Sequence, residues 1–106
     1  MLVEYNDELY QCQKQTQNDS TGLLILLEND KESIVVNAPM RNSKPHRVVV
    51  DTVKYPYIDV SLLDAGVFDS RVGKALQGKE EYPVYELTAQ FISRDNRFKA
   101  WEGLKD

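Results

Sequence analysis

The sequence predicts an α+β, β-rich domain: a small, mostly antiparallel sheet or barrel, OB-like or SH3-like, with one short helix near residues 61–77. Three observations carry this expectation. Short runs of β-branched and apolar residues recur along the chain, such as Ser33-Ile34-Val35-Val36 and Val48-Val49-Val50. Clusters of Asn, Asp, Gly and Pro separate them. Helical spacing of apolar residues occurs only between Ser61 and Leu76.

The elements follow in order. Leu2–Tyr5 and Leu9–Gln15 flank Asn6-Asp7-Glu8, a turn-prone trio, and should open the chain as a β-hairpin. The polar stretch Gln17–Gly22 breaks the pattern. Leu23-Leu24-Ile25-Leu26-Leu27 suits a strand buried on both faces, although leucine alone favours helix. Asn29-Asp30-Lys31 turns the chain into Ser33–Val36. Two prolines, Pro39 and Pro45, exclude a helix or a central strand from Asn37 to His46. Arg47 to Val53 is a β-branched strand, with Tyr57–Val60 its bent continuation or an edge beyond Pro56.

Ser61-Leu62-Leu63-Asp64 is expected to cap and begin the helix. Val72, Ala75 and Leu76 would lie on one face of a second turn that Gly78 ends. Val84 to Ile92 alternates, with Tyr85, Leu87, Ala89 and Phe91 facing one way. Asp95-Asn96 would then turn the chain into a returning strand through Phe98, Ala100 and Trp101.

The chain has 106 residues, 42% hydrophobic and 28% charged, which suits a single folded domain over 1–106 rather than a disordered chain. The acidic opening Met-Leu-Val-Glu-Tyr-Asn-Asp-Glu lacks the basic-then-apolar pattern of a secretory leader. The longest apolar run, five residues, is far short of the roughly 20 that cross a bilayer as a helix. With a single cysteine, Cys12, an internal disulfide is excluded. A cytoplasmic protein with no membrane partner is expected.

Catalytic and metal chemistry find few candidates. The lone His46 lies between Pro45 and Arg47 and reads as an exposed loop residue. No nucleophile elbow, phosphate-binding loop or dinucleotide fingerprint occurs. One cysteine and one histidine cannot assemble a zinc site. Asp59 with Asp64, or Glu80 and Glu81 with Glu86, lack the spacing of a calcium loop. Cys12 reads as a small core residue. No enzyme activity, catalytic residue, metal or cofactor is expected.

Three surfaces suit binding. The formal charge of −4 is uneven, with six acids against one lysine in residues 1–30 and no acid between Glu32 and Asp51. Glu4, Asp7 and Glu8, interleaved with Tyr5 and Tyr10, form an acidic hairpin suited to a basic protein surface. Arg94, Arg97 and Lys99 with Trp101 form a basic, aromatic tip of hot-spot residue types. The chain is therefore expected to be a small non-enzymatic protein-interaction module, a structural, adaptor or inhibitor protein whose composition suits a phage or mobile element. Its partner would be another protein, or a second copy paired through edge strands. The alternative is a single-stranded nucleic-acid-binding β-barrel. There Arg41, Lys44, Arg47 and Lys54 would pair with phosphates while Tyr55 and Tyr57 stack on bases. A sequence pI near 5.0 weighs against that alternative.

Overall fold

A computed structural model of the chain describes residues 1–16, 23–40 and 46–93. Among the described residues the named elements follow in the order β1 (Leu2–Tyr5), β2 (Glu8–Thr16), β3 (Leu23–Glu28), β4 (Ser33–Val35), β5 (Arg47–Val49), α1 (Ile58–Asp64), β6 (Phe68–Gln77) and β7 (Glu80–Leu87). They form two antiparallel sheets, β1-β2-β3-β4 and β5-β7-β6. The architecture is the β-rich α+β class expected, but the sheets do not close into a barrel.

The first hairpin forms where the sequence places it. Asn6 and Asp7 both take positive φ, 51° and 62°, and pair Tyr5 with Glu8 across a two-residue loop. Only a turn of this mirror-image type matches the twist of its strands, and Asn and Asp tolerate that backbone best after glycine. Alternation along the first sheet then sends Val3, Tyr5, Tyr10, Cys12, Ile25, Leu27 and Ile34 inward. Cys12 is a buried core residue. Strand β3 is fully buried on one face only: Leu24 and Leu26 on the other are half-exposed.

One residue joins the two sheets. Beyond β4 the chain crosses from β3 to β5, with Asn37 and Val50 forming an isolated bridge. Val36 N–H donates to Ile25 O on one side, while Ala38 N–H donates to Val49 O and Asp51 N–H to Val36 O on the other. Asn37 is buried, and its side chain replaces the ladder the backbone gives up. Its Oδ1 accepts from Ile25 N–H at 2.8 Å and its Nδ2 donates to Leu23 O at 2.9 Å. Strand edges that would otherwise be orphaned inside the protein are thereby satisfied.

The second half departs from the sequence expectation in three places. The helix is displaced to Ile58–Asp64, and Tyr57, not Ser61, is its N-cap; residues 57–60 are therefore no bent strand. Residues 69–76, expected as a helical turn, belong to β6. The local apolar spacing loses to tertiary pairing along β7 and to stacking of Phe68 on Tyr85, ring centroids 4.9 Å apart. Gly78 (φ +61°) opens the two-residue loop from β6 to β7 instead of ending a helix. The expected strand through Ile92 stops at Leu87, and residues 89–93 are helical. Thr88 causes the switch. Its Oγ1 accepts from Phe91 N–H at 3.1 Å, as an N-cap does, while donating to Gly66 O at 2.7 Å. Ala89 is consequently exposed while Phe91 turns into the core. Buried Lys14 holds this turn to β2 by donating to Ile92 O at 3.2 Å. The returning strand expected through Phe98, Ala100 and Trp101 lies outside the described residues. Among the described residues, no helix is long and apolar enough to cross a membrane.

Candidate functional site

Residues 50–57 connect β5 to α1 and, with Asp59 of the helix, separate two surface clefts. Local hydrogen bonds shape this segment. Asp51 Oδ1 accepts from Lys54 N–H at 3.0 Å, and Asp51 O accepts from Tyr55 N–H at 3.1 Å, so the Asp51 side chain and carbonyl together close a tight turn after the strand. Tyr5, at the end of β1, donates its hydroxyl to Pro56 O at 3.0 Å and ties the segment to the first sheet. Burial raises the pKa of the Tyr5 phenol. The result is a fixed ridge between the clefts, although it forms no strand of its own.

The first cleft, about 410 Å³, lies between this ridge and the β6–β7 hairpin. Pro56, Tyr57 and Asp59 form one wall; Arg71, Glu81 and Pro83 form the other. Tyr57 is 77% exposed and sits at φ +65°, in the left-handed region, with no side-chain cap on the helix it precedes. Opposite it, Glu81 pairs with Arg71 at 3.9 Å and with Lys74 at 3.5 Å. These pairs are exposed, so they neutralise the wall more than they stabilise it. Beneath them, Tyr85 donates its hydroxyl to Asp59 at 2.7 Å. Burial, then this bond to Asp59, pushes the Tyr85 pKa up to about 12. Farther out on β6, Val72 and Leu76 are exposed, Leu76 by 65%.

The second cleft, also about 410 Å³, is lined by Leu24, Val35, Ala38, Pro39 and Tyr55, with Asp51 and Lys54 among its polar residues. Lys54 Nζ stands 5.5 Å from the centre of the Tyr55 ring, a cation–π contact. Asp51 is only 8% exposed. After burial, its charge is the next cause of the raised pKa of Tyr82.

The residues expected to bind a partner are distributed as follows. Glu4 and Asp7 are exposed on the first hairpin. Glu4 lines a smaller depression, about 280 Å³, with Leu2, Leu9 and Asp64. Glu8 is engaged by Lys31 at 3.1 Å. Nearby Tyr10 donates to Glu32 at 2.6 Å, and that bond with burial pushes its pKa up to about 12. Arg94, Arg97, Lys99 and Trp101 lie outside the described residues, as do Arg41 and Lys44. Of the residues expected to hold nucleic acid, Arg47 lies 3.9 Å from Glu86, and His46 beside it is exposed. Lys54 and Tyr55 face the second cleft while Tyr57 faces the first, so the two tyrosines do not form one stacking surface.

Sequence reasoning assigned no binding role to Asp51, Arg71, Leu76 or Pro83. A Gly-Lys pair between two apolar-bearing stretches was the available signal for the hairpin that carries the last three. Among the described residues, no three His, Cys, Asp or Glu side chains are placed to hold a metal ion. Comparison of the chain with family models, curated proteins and solved structures returned no match. The fold and its clefts therefore define a two-sheet, β-rich domain, and its function is argued from surface chemistry alone.

Proposed function

We propose that the protein is a small non-enzymatic interaction module that engages another protein through the cleft between Tyr57 and the β6–β7 hairpin. The observation that carries this reading is Tyr57: a large aromatic ring, 77% exposed, on a left-handed backbone. That conformation costs a non-glycine residue on the order of 1 kcal/mol or more, and the exposed ring returns little of it within the fold. Strain with no internal compensation is more common at recognition sites than elsewhere.

The partner's chemistry follows from the walls. Arg71 and Lys74 are offset by Glu81 beside them and by Asp59 on the opposite wall, so the cleft selects for apolar and aromatic contact rather than net charge. Tyr57, with Pro56 and Pro83 lining the same cleft and exposed Leu76 farther out on the hairpin, would anchor such a contact. Tyrosine is enriched at interface hot spots, and the charged pairs would form the rim.

A photo-crosslinking amino acid placed at position 57 or 76, with activation in cells and nuclease treatment of the lysate, tests the proposal. One protein crosslinked from both positions, and not from Gln13 on the exposed face of β2, is the expected result. Crosslinks of equal yield from Gln13, or none at all, would refute it. Recovery that depends on nucleic acid would move the function to the single-stranded nucleic-acid reading.

A further inference from the structure

The second cleft carries a buried carboxylate, Asp51, that has no counter-ion among the described residues. Asp51 is 92% removed from solvent, taking its 8% exposure as the remainder. Its carboxylate accepts one hydrogen bond, at Oδ1, from the Lys54 amide. No cationic group among the described residues comes within ion-pair distance of it, and it makes no further contact of that kind. Lys54, the nearest candidate in sequence, places its ammonium over the Tyr55 ring instead. A carboxylate in this state has lost much of its hydration and regained little of it from the protein.

We infer that this cleft receives the side chain of an arginine from a partner polypeptide, with Asp51 as its anionic anchor. The chemistry of the walls selects arginine over lysine. Leu24, Val35, Pro39 and Tyr55 offer apolar and aromatic surface to the side of the carboxylate. A guanidinium is weakly hydrated, stacks on aromatic faces and reaches a carboxylate oxygen through a planar fork. An ammonium is strongly hydrated and would give up more water to enter. Charge complementarity alone identifies the occupant: an anion buried beneath apolar walls is matched by a cation on an apolar stem. The cation also displaces Lys54 from the Tyr55 ring, and Lys54 is exposed and able to move into solvent.

This inference rests on the interaction-module reading, but its test does not depend on finding the partner. Amide chemical shifts of the full chain are followed during titration with N-acetyl-arginine amide, and separately with N-acetyl-norleucine amide as a neutral stem of similar length. Saturable shifts grouped at Leu24, Val35, Lys54 and Tyr55 with the arginine probe, and none with the neutral one, are expected. Affinity for so small a probe should lie in the millimolar range. Asp51→Asn keeps the oxygen that accepts the Lys54 amide and removes the charge, so it should weaken binding by about tenfold or more. Shifts scattered over the acidic hairpin at Glu4 and Asp7, equal shifts with the neutral probe, or a smaller loss in Asp51→Asn would overturn the inference. The neutral probe decides the question on the unaltered protein even if Asp51→Asn proves unstable. Failure here with successful crosslinking at position 57 would remove the arginine site and leave the interaction module standing.

Discussion

Replacing Tyr57 by alanine and, separately, by glycine isolates the cost of its backbone from the worth of its ring. Both variants lose the same aromatic side chain, so its residual burial cancels between them. At an ordinary position alanine is the more stable by about 0.5–1 kcal/mol, because glycine has more conformational freedom to lose. At φ +65° the order reverses. Alanine retains a Cβ that meets the following carbonyl, at a cost of about 1–2 kcal/mol, and glycine does not. The midpoints of the two ranges leave glycine ahead by about 0.75 kcal/mol, which for a domain of this size corresponds to a melting point about 3–6 °C higher. Thermal unfolding followed by circular dichroism measures it directly. A Tyr57→Ala melting point equal to or above that of Tyr57→Gly would show that position 57 is not strained, and the main support for the cleft as a recognition site would go with it. Both variants should lose the partner crosslinked from position 76, since neither presents the ring.

Other consequences follow from single contacts. Asn37→Ala strands the buried Ile25 amide and removes the side-chain donor to Leu23 O; it should cost about 1–3 kcal/mol, read as a lower urea midpoint with an unchanged slope. Thr88→Ala removes the cap on residues 89–93 and the donor to Gly66 O; a loss of about 1 kcal/mol is expected, with faster hydrogen exchange at the Phe91 amide. Leu76→Asp lies on an exposed strand end and should change stability by no more than about 0.5 kcal/mol while abolishing capture of the partner. Alkaline pH should unfold the protein. Tyr10 and Tyr85 keep their protons to about pH 12 in the fold, whereas unfolded phenols ionise near 10. Between those values the folded state binds more protons than the unfolded one, so stability is complete below about pH 10 and falls as pH rises towards 12. A melting point that stays level across that window, with tyrosinate absorbance rising before unfolding, would contradict these assignments.

Where local chemistry and tertiary packing agree, residues alone sufficed. The Asn6-Asp7 turn, the strands around Ile25, Ile34 and Val48, the burial of Cys12 and the β-rich class were all legible, because alternation and turn chemistry act over a few neighbouring residues. Residues 69–76 show the limit of that reading. Val72, Ala75 and Leu76 satisfy helical spacing, yet the segment pairs with β7, since Phe68 on Tyr85 and the β7 ladder outweigh a weak local preference. Thr88 shows the same limit in reverse: alternation runs on to Ile92, but a hydroxyl shared between Gly66 and Phe91 ends the strand. The clefts follow this pattern. Tyr55 and Tyr57 were visible as aromatics beside a cation, but their separation into two clefts and the burial of Asp51 arise from tertiary structure, with long-range contacts such as Tyr5 with Pro56 and Tyr85 with Asp59. Composition and spacing carry the local terms of the energy. Which side chains meet across the two sheets depends on contacts between residues more than fifty positions apart, as with Tyr5 and Pro56, and no local pattern encodes them.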